Sequence, residues 1–353
     1  MKAMRIGGKL RRLRQEQRMT QAQMARELGI SASYLTLLES NQRPVTVRVL
    51  LKLVERFQVD IQAFAADTDQ RLSLELMEAF SDPVFEGWTE LVVAERNGGF
   101  AYGNNYAVRP MLSGSQPTEY VLLLNPDTEV RPGAIETLVS FMEDHPEAGI
   151  AGAGLINGDG SDWPVAFRFP TVLSELDGGL RFGPVSKLLK KYVVARQMGP
   201  VAQPIDWVPG AAMIVRRDVF EDIGLMDQSY FLYYEETDFC LVAKRAGWSC
   251  WYVPEARVMH IAGQSTGVTV RGQQPRRLPD YWFESRRRYF VKNHGVLYAA
   301  AADVAHLTGL AFNQARTKIQ RREDQRAPHL FRDLWRNSVL WPKNRYVEPP
   351  EIH

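Results

Sequence analysis

The period of the hydrophobic pattern changes near residue 90, and that change constrains the fold more than any other feature. Before it, apolar residues recur only at helical spacing: Ile6, Leu10 and Leu13 stand at i, i+4 and i+7. After it, short apolar runs alternate with amphipathic stretches. LVVAE (91–95), YVLLLNPDTEV (120–130) and GIAGAGLIN (149–157) read as strands, and GAIETLVSFMEDHP (133–146) reads as a helix. Strand–helix alternation predicts an α/β domain with a mainly parallel sheet. The 353 residues are therefore expected to be multidomain: an all-α unit over 1–66, a helical linker over 67–90, an α/β domain over 91–295 and a helical tail over 296–353.

Charge divides at the same place. Residues 1–66 carry 12 Lys and Arg against 5 Asp and Glu, while the remainder carries 31 against 36. A basic front on a mildly acidic body suggests a polyanion-binding module, and a solvated helix face is the other reading. The two cysteines, Cys240 and Cys250, lie in apolar sequence without metal-site spacing, as expected of reduced thiols. The N-terminal charges are not followed by an apolar core, so no secretory signal is expected, and no run reaches the length of a membrane span. A cytoplasmic location follows, either free or peripheral to the inner face of a membrane.

Within the basic front, Thr20 can cap a helix over QAQMARELG, Gly29 supplies a left-handed stop, and Ser31 caps SASYLTLLE. Helices over 47–59 and IQAFAA complete the unit. Two short helices meeting at a glycine form a helix-turn-helix, whose second helix offers Ser31, Ser33, Tyr34 and Thr36 to base edges. Gln21 and Arg43 are placed for phosphates. MTQAQMARELGISASYLTLLESNQRPVT resembles the DNA-binding domain of phage-repressor and Cro-type regulators, a likeness that extends over about 60 residues. The resemblance implies duplex DNA as partner and a dimer.

In the body, Asp127 follows an apolar strand, FLYYEETDFC (231–240) sets Glu235, Glu236 and Asp238 in apolar company, and His260 ends another strand. Acids so placed are costly to desolvate without partners. Asp and His together suit Mn²⁺ or Mg²⁺, and a separate carboxylate can take a proton from a hydroxyl. NGGFAYGNN, LLLNPDTEV, GAAMIVRRDVFEDIG, FLYYEETDFCLVAKRAGW and HIAGQST resemble, in order and spacing, the motifs of family 2 glycosyltransferases of the rhamnosyltransferase-like branch. That resemblance implies a GT-A, Rossmann-like fold, a nucleoside-diphosphate sugar donor, a divalent metal, and inverting transfer to a glycan or lipid-linked acceptor. It assigns Asp127 and His260 to the metal and Glu236 to the base. Glu235 and Asp238 then shape the acceptor pocket or orient Glu236, while Asn97, Gly99, Asn104, Asn105 and Asp127 lie on the donor side. Arg286, Arg287 and Arg288 either meet diphosphate or form a solvated face.

The family normally begins with nucleoside-binding strands, and residues 1–90 show none, so the α/β domain is expected to be N-terminally truncated. Such a chain is a transferase-like protein joined to a DNA-binding unit. The alternative is a transcriptional regulator whose body no longer catalyses. The tail mixes basic residues with Leu330, Phe331, Leu334, Trp335, Leu340 and Trp341. It lies on a membrane surface in one reading and packs on the α/β domain in the other.

Overall fold

The computed structural model describes residues 7–17, 19–40, 49, 52, 56–57, 92, 94–114, 118–196, 198–260, 276–321, 324 and 326–345. The chain forms two compact units, Met1–Val93 and Ala94–His353.

In the first unit, α1 (Gly7–Glu16), α2 (Gln21–Leu28) and α3 (Ala32–Glu39) enclose a core of Leu10, Met24, Ala25, Leu28, Leu35, Leu38 and Val49. The caps lie where the residue types require. Thr20 accepts from the Gln23 N–H while the Gln23 side chain reaches back, a complete capping box. Gly29 takes φ 63°, where a side chain would be strained, and closes α2 through Ala25 and Arg26. Ser31 caps α3. Arg14 grips Glu39 with two hydrogen bonds of 2.6 and 3.0 Å, tying α1 to α3. Burial would raise the Glu39 carboxyl, but hydrogen bonds from Arg14 and Gln21 outweigh it and hold the group below its ordinary range. Of the expected 47–59 helix, Val49, Lys52, Arg56 and Phe57 are helical. The helix over IQAFAA and the 67–90 linker lie outside the described residues.

In the second unit the order is α4 (Phe100–Ser113), β1 (Tyr120–Leu124), β2 (Thr128–Val130), α5 (Ala134–Asp144), β3 (Ala148–Ile156), α6 (Val172–Leu180), α7 (Gly183–Leu188), β4 (Gln203–Ile205), β5 (Ala212–Arg216), α8 (Arg217–Ile223), α9 (Glu235–Arg245), β6 (Ser249–His260), α10 (Asp280–His294), α11 (Val296–Ile319) and α12 (Leu330–Asn337). The strands are ordered β1-β5-β3-β6-β2, with β4 also on β6. The expected mainly parallel sheet is corrected to a mixed one. Only β3–β6 is parallel among the described pairs, and β5 runs antiparallel between β1 and β3. An apolar run reports burial on both faces but not direction. Here the segment after β3 brings the chain back to the opposite end before β5 starts. The first residue of β5, Ala212, pairs with the last of β1, Leu124. The turns before β5 and after β1 therefore lie side by side.

The sheet also curls. Strands β1 and β2 end the strand order on opposite sides, yet residues 125–127 alone join them. A flat sheet would separate them by about 19 Å, whereas four Cα steps span at most about 15 Å. The end of β1 is thus drawn toward the end of β6, where Thr128 pairs with His260.

The tail packs on the α/β layer, the second of the two readings left open. α11 lies along α6 so closely that a Cβ on Gly309 would sit 2.7 Å from the Leu176 carbonyl oxygen and the Leu180 nitrogen. Backbone atoms cannot rotate aside. Gly309→Ala is expected to cost about 1–3 kcal/mol, read as a lowered urea midpoint, and an unchanged midpoint would contradict this packing. The same helices enclose Arg286, which bonds Glu175 and Asp303. Arg288 bonds Asp227 in the same buried layer. Both readings offered for these arginines are corrected: they are neither solvated nor directed at a ligand. None of the described helices is long and apolar enough to cross a membrane.

Candidate active site

Three segments meet at the β1 end of the sheet. Asn125-Pro126-Asp127-Thr128 is a turn, its first carbonyl accepting from the Thr128 N–H and hydroxyl at 3.2 and 2.7 Å. The Asn125 N–H donates to the Ala211 carbonyl, 3.0 Å, which fixes this turn against the one before β5. The neighbouring Gly210 N–H donates to Glu236 Oε1, 3.1 Å, at the start of α9. Curling of the sheet brings His260 in from the other side, with Nε2 at 3.3 Å from Asp127 Oδ1. Asp127 thus lies beside His260, and its turn is linked through Ala211 and Gly210 to Glu236.

Gly210 is required there. A Cβ would stand 2.4 Å from the Phe100 ring and 3.2 Å from Glu236 Cγ. Gly99, at φ 88°, lies so close to Phe231 that a Cβ would overlap its carbonyl, and the Phe100 N–H donates to that same oxygen. The acidic loop is strained just before the acids: Tyr233 and Tyr234 both take positive φ, 71° and 69°. Such backbone persists only where its surroundings enforce it, most often at functional loops.

The polar atoms are unequally satisfied. Asp127 and His260 are close but misaligned, which leaves Asp127 Oδ1 and both ring nitrogens buried without a hydrogen bond among the described residues. Trp163 meets the imidazole edge-on at 5.7 Å. An orphaned carboxylate oxygen beside an orphaned imidazole fits a divalent cation sharing its remaining positions with phosphate oxygens. Among the described residues, no group of three or more His, Cys, Asp or Glu is arranged to hold a metal by itself. Glu235 is fully buried with Oε2 unpartnered, and burial, then the charge of Glu236, pushes its carboxyl well up. Burial also raises Glu236, against the hydrogen bond from Gly210.

Other expected residues lie elsewhere. Asp238 is turned from the cleft: Tyr230 and Asn293 donate to Oδ1, and Lys292 donates to Oδ2 at 2.5 Å. In place of shaping the acceptor pocket or orienting Glu236, these bonds make it a tie between α9 and α10. The amide of Asn105 is spent at both ends on the Met226 backbone, 121 residues away, and Asn104 donates to the Phe100 carbonyl within its own helix. Asn105 is thereby occupied at both ends, while the bond of Asn104 uses a single amide hydrogen. Asn97 is exposed and accepts from the Gly99 N–H. In the first unit, the Gln21 amide bridges Glu39 and Thr36 rather than pointing outward. Ser31 is engaged as a cap, Tyr34 packs on the core and Thr36 is exposed. The Ser33 side chain and Arg43 lie outside the described residues. The pairing of Asp127 with His260 was legible as motif. Gly210, with Ala211, was legible as the turn before the acceptor side; Phe100 and Trp163 were not, because each acts through a neighbour distant in sequence.

A helical unit with a glycine-stopped pair of helices, followed by an α/β unit whose strand ends gather an Asp, a Glu and a His, defines a two-part protein. Residues 10–64 match the family model Helix-turn-helix, and residues 120–292 match Glycosyl transferase family group 2. The chain therefore joins a helix-turn-helix domain to a family 2 glycosyltransferase domain. It is 33% identical over 154 residues to the N-acetylglucosaminyl-diphospho-decaprenol L-rhamnosyltransferase of Mycobacterium tuberculosis, covering 42% of this chain and 49% of that protein. It is 50% identical over 76 residues to the HTH-type transcriptional regulator PrpR of the same organism, covering 22% of this chain and 16% of the regulator. The chain thus spans about half the length of the first relative and a small part of the second. A solved structure of GalNAc-T7 with UDP, GalNAc and Mn²⁺ overlays with TM-score 0.45 at 14% identity, over 86% of this chain and 56% of that one.

Proposed function

We propose that the second unit transfers a sugar from a nucleoside-diphosphate sugar to a hydroxyl of a glycan or lipid-linked acceptor, with inversion, and that the first unit binds duplex DNA. The convergence of Asp127, His260 and Glu236 carries this reading. Asp127 and His260 are the residues that would hold Mn²⁺ or Mg²⁺, which when bound supplies positive charge to the departing diphosphate. Glu236 is held by Gly210 through one oxygen, leaving the other to take the proton of the acceptor hydroxyl as the hydroxyl oxygen bonds the anomeric carbon and the bond from that carbon to the diphosphate breaks. Its raised pKa makes it a stronger base than an exposed carboxylate. Burial and the charge of Glu236 push Glu235 toward its uncharged form, which limits the negative charge beside the base. Asn97 and Gly99 frame the donor side, and the rhamnosyltransferase relative favours a deoxyhexosyl donor.

Titration calorimetry of the full chain with UDP, dTDP and GDP in Mn²⁺ tests this. Heat with at least one nucleotide is expected, abolished by chelation and by Asp127→Ala. No heat with any of them would end the transferase reading. Salt-dependent binding to duplex DNA would then stand alone as the function of the chain.

A further inference from the structure

A second site lies away from the cleft, where the link between α6 and α7 meets the last turns of α11. A cavity of about 750 Å³ opens there. One wall is Arg181, Phe182, Gly183 and Pro184, and the other is Asn313, Arg316, Thr317 and Gln320. The second set is spaced i, i+3, i+4 and i+7, one face of a helix.

Three arginines and one acid line this cavity. Arg326 is spent: Nε and Nη2 bond Asp324, and Nη1 donates to the Gly179 carbonyl. The acid is thereby neutralised and the floor fixed. Arg316 is held but not spent. Its Nη2 donates to the Arg181 carbonyl and to Asn313 Oδ1, at 3.0 and 2.6 Å, and its guanidinium lies 5.2 Å from the centre of the Phe182 ring. Among the described residues nothing accepts from its Nε or Nη1. Arg181 is exposed, and no described residue accepts from its side chain. Among the described residues, two guanidinium groups thus keep donors toward the cavity, one of them rigidly oriented, and share the charge of a single acid, Asp324, with Arg326.

Arg181 is also strained. It ends α6 at φ 43°, ψ 48°, the left-handed position that glycine fills without penalty. An arginine kept at such a position points to use of its side chain. Leu188 and Ile319, each 83% exposed, stand near the ends of the two helices that form the walls.

We propose that this cavity binds a phosphate group, with Arg181 and Arg316 as its donors. Guanidinium forks match phosphate oxygens in geometry and charge. The phosphate belongs either to a soluble ligand or to a lipid headgroup, the exposed leucine and isoleucine entering the acyl layer in the second case.

The test uses the full chain in EDTA, so that Asp127 and His260 cannot contribute through a metal. The probes are inorganic pyrophosphate, and phosphatidylcholine vesicles with or without phosphatidylglycerol. Wild-type protein is expected to bind at least one anionic probe. Arg181→Gly is expected to weaken that binding about tenfold or more, the loss of one charge-assisted hydrogen bond, without lowering the melting temperature, because glycine suits the left-handed backbone. Arg181→Asn, which also tolerates that backbone, is expected to give the same loss, so that freeing the turn is not the cause. Pyrophosphate binding assigns a soluble ligand, and binding confined to phosphatidylglycerol vesicles assigns a headgroup. Binding of neither probe, or equal binding by wild type and both variants, overturns the proposal.

Discussion

Glu236→Gln is expected to lower sugar transfer by about 10²–10⁴-fold, the range for removal of a general base. The glutamine keeps the shape and can still accept from the Gly210 N–H through its amide oxygen. The turn before β5 and the helix start therefore stay in place, and nucleotide binding in Mn²⁺ is expected to be unchanged. What is lost is an oxygen able to take a proton. The pH profile gives an independent reading. Because burial raises the Glu236 carboxyl, the base is protonated and inactive on the acid side. Wild-type kcat/KM is expected to rise with pH through a value above the ordinary carboxylate near 4.3, and this limb disappears from the residual activity of the variant. A variant retaining activity within about threefold of wild type, too small for a lost base, would remove Glu236 from the reaction.

The parts of this molecule written in adjacent residues could be read from the chain. Thr20, Gly29 and Ser31 act within three or four positions of themselves, so their caps follow from residue type. Asp127 after β1 and His260 at the end of β6 stand at strand ends, where α/β ligands gather. The failures are all long-range. The direction of β5 is set by where the chain re-enters the sheet, which an apolar run does not encode. Asp238 looked like a site acid because Lys292 and Asn293 lie 54 and 55 residues away. Asn105 looked like a donor ligand because Met226 is 121 residues away. Arg286 and Arg288 read as a basic face because their carboxylate partners, Glu175 and Asp227, come 111 and 61 residues before them. A charge cluster carries no label saying whether its counter-ions are solvent, ligand or core.

The last of these misreadings yields the largest stability effect. Arg286 is almost wholly buried between α6, α10 and α11, with Nε and Nη2 on Glu175 and Nη1 on Asp303, while His306 also meets Glu175. Arg286→Met removes the cation and leaves two buried carboxylates facing each other's field. Such a break is expected to cost about 3–5 kcal/mol, lowering the melting temperature by on the order of 10 °C for a unit of this size. The sign of the pH dependence separates this cause from simple loss of packing. In the wild type, burial would raise Glu175, but Arg286 and His306 bring its pKa down from 4.5 to about 2. A depressed carboxylate contributes stability that is present above pH 4.5 and is lost as pH falls toward 2. In the variant, the desolvation of Glu175 is no longer outweighed by the Arg286 charge, so its folded pKa rises above the unfolded one. Its contribution then reverses, and stability is expected to increase as pH falls from neutrality toward 5, where the wild type stays level. Adding Glu175→Gln and Asp303→Asn to Arg286→Met is expected to recover part of the loss at neutral pH, since no buried charge then lacks a partner. A variant whose stability stays flat between pH 7 and 5 would mean that these carboxylates are solvated, and that α11 is held to the domain by apolar packing alone.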